Sequence, residues 1–337
     1  MTAMPKSILL LVIAATPAVP AGAAQAPQPA PIFRFDTDEM WLNLHHYLYV
    51  LGRARAKMPD ASREAVAGAP ADQARGLERL TDAERSVWEE AVVFYAGGPS
   101  RRDLIFDAPL PDITLRLADA DDAPNLSDTG IDRLNTTPLE RAAPIYRKAW
   151  WPDHQAANRA RAAEIQALVD RYGRQVLQRI TKVYGMRWPA DGYPVHFSAF
   201  SNWAGAYSTT GNLLVVSSLA KDLKGNHGLE TVFHEGMHQW DSAVQALLRK
   251  EASRIEKRLP PNLSHAMIFF TAGDSVRRVI PGHVPYADAF GVWDRGFAAF
   301  TAPLQETWKP YLDGKGTRDE AIAALVARVG LPIQGDD

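Results

Sequence analysis

Residues 212–217 read Asn-Leu-Leu-Val-Val-Ser, and residues 229–240 read Leu-Glu-Thr-Val-Phe-His-Glu-Gly-Met-His-Gln-Trp. The first run is aliphatic and largely β-branched, follows the turn pair Gly211-Asn212, and predicts a strand. In the second, Leu229, Val232, Phe233, Met237 and Trp240 recur at helical spacing after Gly225 and predict a helix. Upstream, residues 193–197 and 205–208 also read as short strands. Downstream, helical periodicity returns at 242–258, 264–279, 292–310 and 317–329. Helices, then a small β-meander, then helices describe a mainly helical α+β protein with a small sheet before one central helix.

The N-terminal half reads as helical. Asp36 and Glu39 form a plausible capping pair before Trp41, Leu44, Leu48 and Leu51. Thr81 and Glu84 form a capping box before Val87, Trp88, Ala91, Val92 and Tyr95, and Gly97-Gly98 end that helix. Residues 99–135 are rich in Asp and Pro and read as loop, with short elements at 104–106 and 113–117. Thr137-Pro138-Leu139-Glu140 signals a helix start, and Pro144 predicts an early kink. A long helix follows over 153–184, interrupted or bent near Gly173.

The ends and the composition limit the possible functions. The chain has 337 residues, 37 basic and 39 acidic, for a formal charge of −2. That balance argues against nucleic acid or an anionic membrane as a partner. Lys6, an apolar run from Ile8 to Ala15, and Ala21-Gly22-Ala23-Ala24 predict a signal peptide over 1–23, cleaved after Ala23. The run is too short to span a bilayer, so no stable membrane span is expected after cleavage and the location is periplasmic or secreted. Residues 24–31 read as a Pro/Ala-rich linker, 32–187 as a helical N-terminal region and 188–337 as the catalytic region. The chain has no cysteine. Stability must therefore come from core burial, and any zinc site must use His, Asp or Glu, the donors of catalytic rather than structural zinc.

Chemistry concentrates in His234-Glu235-Gly236-Met237-His238. Residues four apart lie on one helix face, so both imidazoles can address one ion, expected to be Zn2+. Glu235, beside the first ligand, is expected to act as general base on a water. The flanking Val232-Phe233 and Gln239-Trp240 are uncharged, as on a buried helix that carries only functional polar groups.

On His234, Glu235 and His238, and over about residues 193–280, the chain resembles the zincin metallopeptidases. In that superfamily a small sheet precedes the active-site helix and its edge strand binds an extended substrate; residues 203–208 are the candidate edge. Position 244 is Val, so the metzincin extension is absent. The resemblance is to the gluzincin side, in which a carboxylate on a later helix completes the site. It implies hydrolysis of a peptide or protein substrate. The alternatives are a zinc hydrolase of another substrate class, or a non-enzymatic envelope protein with a structural metal site. Residues 41–48 and 265–274 are also similar to exported bacterial proteins without assigned activity.

The third ligand is expected to be Asp274, with His265 as the alternative. If the stretch after His238 is a straight helix, the following helix must retrace it, which favours Asp274. A bend there favours His265. Asp274 at helical spacing could instead pair with Arg277 or Arg278. Asp241, at i+7 from His234, reads as a group behind a ligand or as a cap. Tyr286 and Tyr207 are candidate donors to a developing oxyanion. His45, His46, His154, His196 and His227 read as core histidines with satisfied partners.

Overall fold

The structure is a computed structural model that describes residues 30–121, 123–209 and 213–332. The signal peptide over 1–23, most of the 24–31 linker and the Gly211-Asn212 turn lie outside the described residues. From Pro31 onward the chain is one compact unit.

The N-terminal half contains strand β1 (Phe33–Asp36) and helices α1 (Met40–Arg55), α2 (Glu64–Ala67), α3 (Ala69–Leu77), α4 (Asp82–Gly97), α5 (Leu110–Asp119), α6 (Arg133–Ala149), α7 (Trp151–Leu168) and α8 (Arg174–Tyr184). Strands β2 (Tyr193–Ser198), β3 (Ala206–Thr209) and β4 (Leu213–Ser217) follow. Next come α9 (Asn226–Met237), α10 (Asp241–Arg254), β5 (Lys257–Arg258), α11 (Leu263–Val279), α12 (Tyr286–Ala289), α13 (Ala298–Pro303), α14 (Lys309–Leu312), α15 (Arg318–Val329) and β6 (Leu331–Pro332). The molecule is mainly helical with one small mixed sheet, an α+β arrangement.

Several local expectations hold. Thr81 and Glu84 make a reciprocal capping box on α4, and Gly98 closes it. The long helix breaks into α7 and α8 at a wide π turn, Val169–Gly173. Others need correction. Residues 110–119 form helix α5 rather than loop. Helix α6 starts four residues before Thr137, capped by the Asp132 side chain on Leu134 N–H, and carries Pro138 and Pro144 inside it. Residues 291–297 are turns rather than helix.

The main correction concerns the sheet. It is not a meander: its order is β1-β2-β4-β3, with β1, β2 and β4 parallel and only β3 antiparallel. β1 lies where helix was expected. Phe33-Arg34-Phe35-Asp36 does alternate apolar and polar, but over four residues, the shortest run that carries a strand signal. β3 runs to the outer edge and β4 returns between it and β2.

Successive strand residues face opposite sides of a sheet. On one side the Tyr207 hydroxyl is hydrogen-bonded to His46 Nε2 of α1 at 2.7 Å, and His196 meets Glu39 just before α1 at 2.6 Å. On the other, Phe33 packs edge-on against Phe233 of α9, and Ser208 bonds Glu235. The sheet is therefore sandwiched between α1 and α9. Leu229, Val232, Phe233 and Met237 are all fully buried. Each such side chain stabilises the fold by about 1.5–3 kcal/mol, and together they hold α9 on the sheet.

Candidate metal centre

Helix α9 begins at Asn226 after Gly225, whose φ of 58° suits glycine. It presents His234 and His238 from one face, with ring centroids 5.1 Å apart. After Met237 the α-helix tightens into a 3-10 turn, His238–Trp240, from which α10 follows. α10 carries the chain about 21 Å outward. The return over residues 255–262 is non-helical and includes β5. The chain reverses through turns at 255–256 and 261–262, where Glu256 and Asn262 take positive φ. The first turn of α11 thus arrives beside α9.

It brings His265. The ring nitrogens of His234, His238 and His265 all lie within 4.8 Å of one another, and the Nε2 atoms of His234 and His265 are 3.2 Å apart. Nitrogens bound 2.0–2.1 Å from a tetrahedral zinc stand about 3.3 Å apart, so this spacing fits. The donor set could hold a metal ion. Burial strongly disfavours charge on His234 and His265, aided by repulsion from His238, and holds His265 down to about 3. Both rings thus keep the neutral form a metal requires. For His238, burial opposes charge, but the Asp241 hydrogen bond and the Glu235 carboxylate outweigh it and raise the pKa.

Asp241 acts as expected of a group behind a ligand. Its Oδ2 accepts from His238 Nδ1 at 2.8 Å, leaving the Nε2 lone pair toward the other imidazoles. Glu235 is buried, with Oε1 3.8 Å from His234 Nε2 and Oε2 4.0 Å from His238 Nε2. Ser208 on β3 donates to its carboxylate at 2.8 Å. Burial raises the Glu235 pKa, against the lowering effects of His238 and Ser208. Phe269, one turn after His265, covers the rings, with centroids 3.9 Å from His234 and 4.8 Å from His265; Phe297 meets His265 edge-on.

Asp274, expected as the third ligand, is placed elsewhere. It lies nine residues beyond His265, about 13 Å along the helix, and its carboxylate bonds Arg277 at 3.1 Å and Arg278 at 2.7 Å. The continuous α-helix assumed for that expectation is interrupted by the 3-10 turn at His238–Trp240. Neither tyrosine offers a free hydroxyl: Tyr207 faces α1 and is tied to His46, while Tyr286 donates to Asp222 at 2.6 Å. His45, His154 and His227 have partners in Tyr95, Asp72 and the Val284 carbonyl.

Two features escaped the sequence reading although signals for them exist. Ser208 neighbours Tyr207 on a strand, so a core-facing Tyr207 turns Ser208 toward α9. Phe269 stands at i+4 from His265 and must share its face. Glu230, one turn before His234, has no such signal. It is buried, accepts from Tyr286 N–H at 3.0 Å, and meets His283 Nε2 at 2.5 Å, pinning the 281–286 segment to α9.

Compared with known proteins, no family model matches this chain, and no curated protein or solved structure matches it. The functional argument therefore rests on the site's own chemistry.

Proposed function

We propose that the chain is an exported zinc-dependent hydrolase that cleaves peptide bonds with a metal-activated water. One arrangement carries this: three imidazoles converge from the C-terminal end of α9 and the start of α11, with the buried Glu235 carboxylate beside them and bonded to edge strand β3. A zinc ion held by His234, His238 and His265 would supply a Lewis acid that lowers the pKa of water from 15.7 toward about 7. Glu235 would take the proton from that water and return it to the leaving amine. Burial, which raises its pKa, makes Glu235 a stronger base toward that proton than an exposed carboxylate. Ser208 orients the carboxylate, and Asp241 fixes the His238 tautomer.

β3 is the last strand on its side of the sheet, so an extended peptide can add along its outer edge. That matches the use of the edge strand in the zincins, to which the motif is similar. The three-histidine donor set departs from the gluzincin pattern, in which a carboxylate completes the site. Among the described residues no helix is long and apolar enough to cross a membrane.

The test combines metal analysis of purified protein with hydrolysis of a mixed peptide library by wild type and Glu235→Gln. The variant is expected to retain zinc and lose about 10²–10⁴-fold in rate. Zinc-loaded wild type that leaves peptides intact but hydrolyses esters or other amides would move the assignment to another hydrolase class. No hydrolysis of any substrate, with partner binding unchanged in Glu235→Gln, would leave a structural metal clip.

A further inference from the structure

Asp274 is only 3% exposed, yet it is the centre of a positively charged cluster. Arg278 Nε lies 2.7 Å and Arg277 Nη2 3.1 Å from its carboxylate; Lys309 Nζ is at 3.8 Å and Arg179 Nη2 at 3.9 Å. These cations come from α8, α11 and α14, so distant parts of the chain converge on one carboxylate. A second acid, Asp313, is bonded to Lys309 at 2.6 Å and to Arg278, and a third, Asp288, lines the same small pocket as Asp274 and Arg277. Four cations against three carboxylates leave one positive charge in excess.

The four cationic side chains are between 23% and 41% exposed, so the cluster is open to solvent on one side. Arg179 Nε is buried with no hydrogen-bond partner. Its Nη2 stands beyond direct hydrogen-bond distance from Asp274. Arg179 thus joins the cluster only through a long ion pair and keeps an unused donor. Burial, with repulsion among the neighbouring cations, depresses the pKa of both Arg179 and Lys309. A group of guanidinium forks and an ammonium with excess charge matches a tetrahedral oxyanion, which accepts several charge-assisted hydrogen bonds at once.

We propose that Arg179, Arg277, Arg278 and Lys309, gathered around Asp274, form a binding site for a phosphate-type oxyanion, separate from the histidine cluster. The site holds whether or not the chain is a hydrolase. Its ligand chemistry has two sources, a soluble phosphate compound or an anionic lipid headgroup.

Inorganic phosphate is titrated calorimetrically into chelator-treated full-length protein at constant ionic strength, so that no metal offers it a second site. Wild type is expected to bind one phosphate saturably. Arg179→Gln should weaken binding about tenfold, the value of one charge-assisted hydrogen bond, and Arg179→Lys should lose less. Lys309→Gln serves in its place if Arg179→Gln does not fold. Absence of saturable wild-type binding, or wild-type affinity in the folded variant, would overturn the proposal. Phosphatidylglycerol vesicles separate the sources: retention competed by phosphate identifies a headgroup, and phosphate binding without retention identifies a soluble anion.

Discussion

His265 and Asp274 share α11, nine residues apart, and their surroundings separate their roles. His265 stands among imidazoles and aromatic rings; Asp274 stands among cations. His265→Ala, like His234→Ala or His238→Ala, should abolish tight zinc binding in a chelator competition. Asp274→Asn should leave zinc affinity unchanged while lowering stability by about 3 kcal/mol, because it strips a buried ionic cluster of its central charge. Full zinc retention by His265→Ala would remove it from the site. His45 supports a pH prediction. Burial holds its pKa down to about 4; Tyr95 bonds its Nδ1 at 2.8 Å and Thr114 lies 3.4 Å from its Nε2. The folded-state pKa is below the unfolded value of 6.5, so the stability contribution is complete above pH 6.5 and lost as pH falls toward 4. Over that window the His45 proton contributes a slope of up to about 1.4 kcal/mol per pH unit. His45→Gln should flatten the urea midpoint against pH by that amount, and an unchanged slope would refute a neutral His45.

At the scale of elements, α9 depends on close approach. A Cβ on Gly236 would stand 2.5 Å from Trp188 Cη2. That indole is fixed by its Nε1 donating to Ile32 O at 2.7 Å and by rings on several sides, so it cannot easily yield. Gly236→Ala gains up to about 1 kcal/mol of helix propensity but overpacks by about 1–3 kcal/mol. A net loss of stability is expected in urea denaturation, and a raised midpoint would mean that Trp188 moves. The helix itself was legible from Leu229, Val232, Phe233, Met237 and Trp240, and so was the pairing of His234 with His238. The 3-10 turn at His238–Trp240 was not, because Gln239-Trp240-Asp241 contains no Pro or Gly to mark it. Nor was β1, whose four residues become a strand only by pairing with β2.

For the whole molecule, the site-bearing helix needs both halves of the chain. α1 covers one face of the sheet that α9 covers on the other, and β1 borders β2. A fragment beginning at residue 188 would expose Tyr207, Val215 and His196. It should lack a cooperative thermal transition, and a sharp transition in calorimetry would show that the C-terminal half folds alone. Sequence by itself determined the helical character, the central strand, the His234/Glu235/His238 constellation and the need for non-cysteine ligands, because these are written in local periodicity and residue chemistry. Tertiary structure alone decided which of His265 and Asp274 joins the histidines, that Tyr207 turns away from them, and that four cations meet at Asp274. Those outcomes depend on how the chain returns after α10 and on which elements pack together, and no local spacing encodes either.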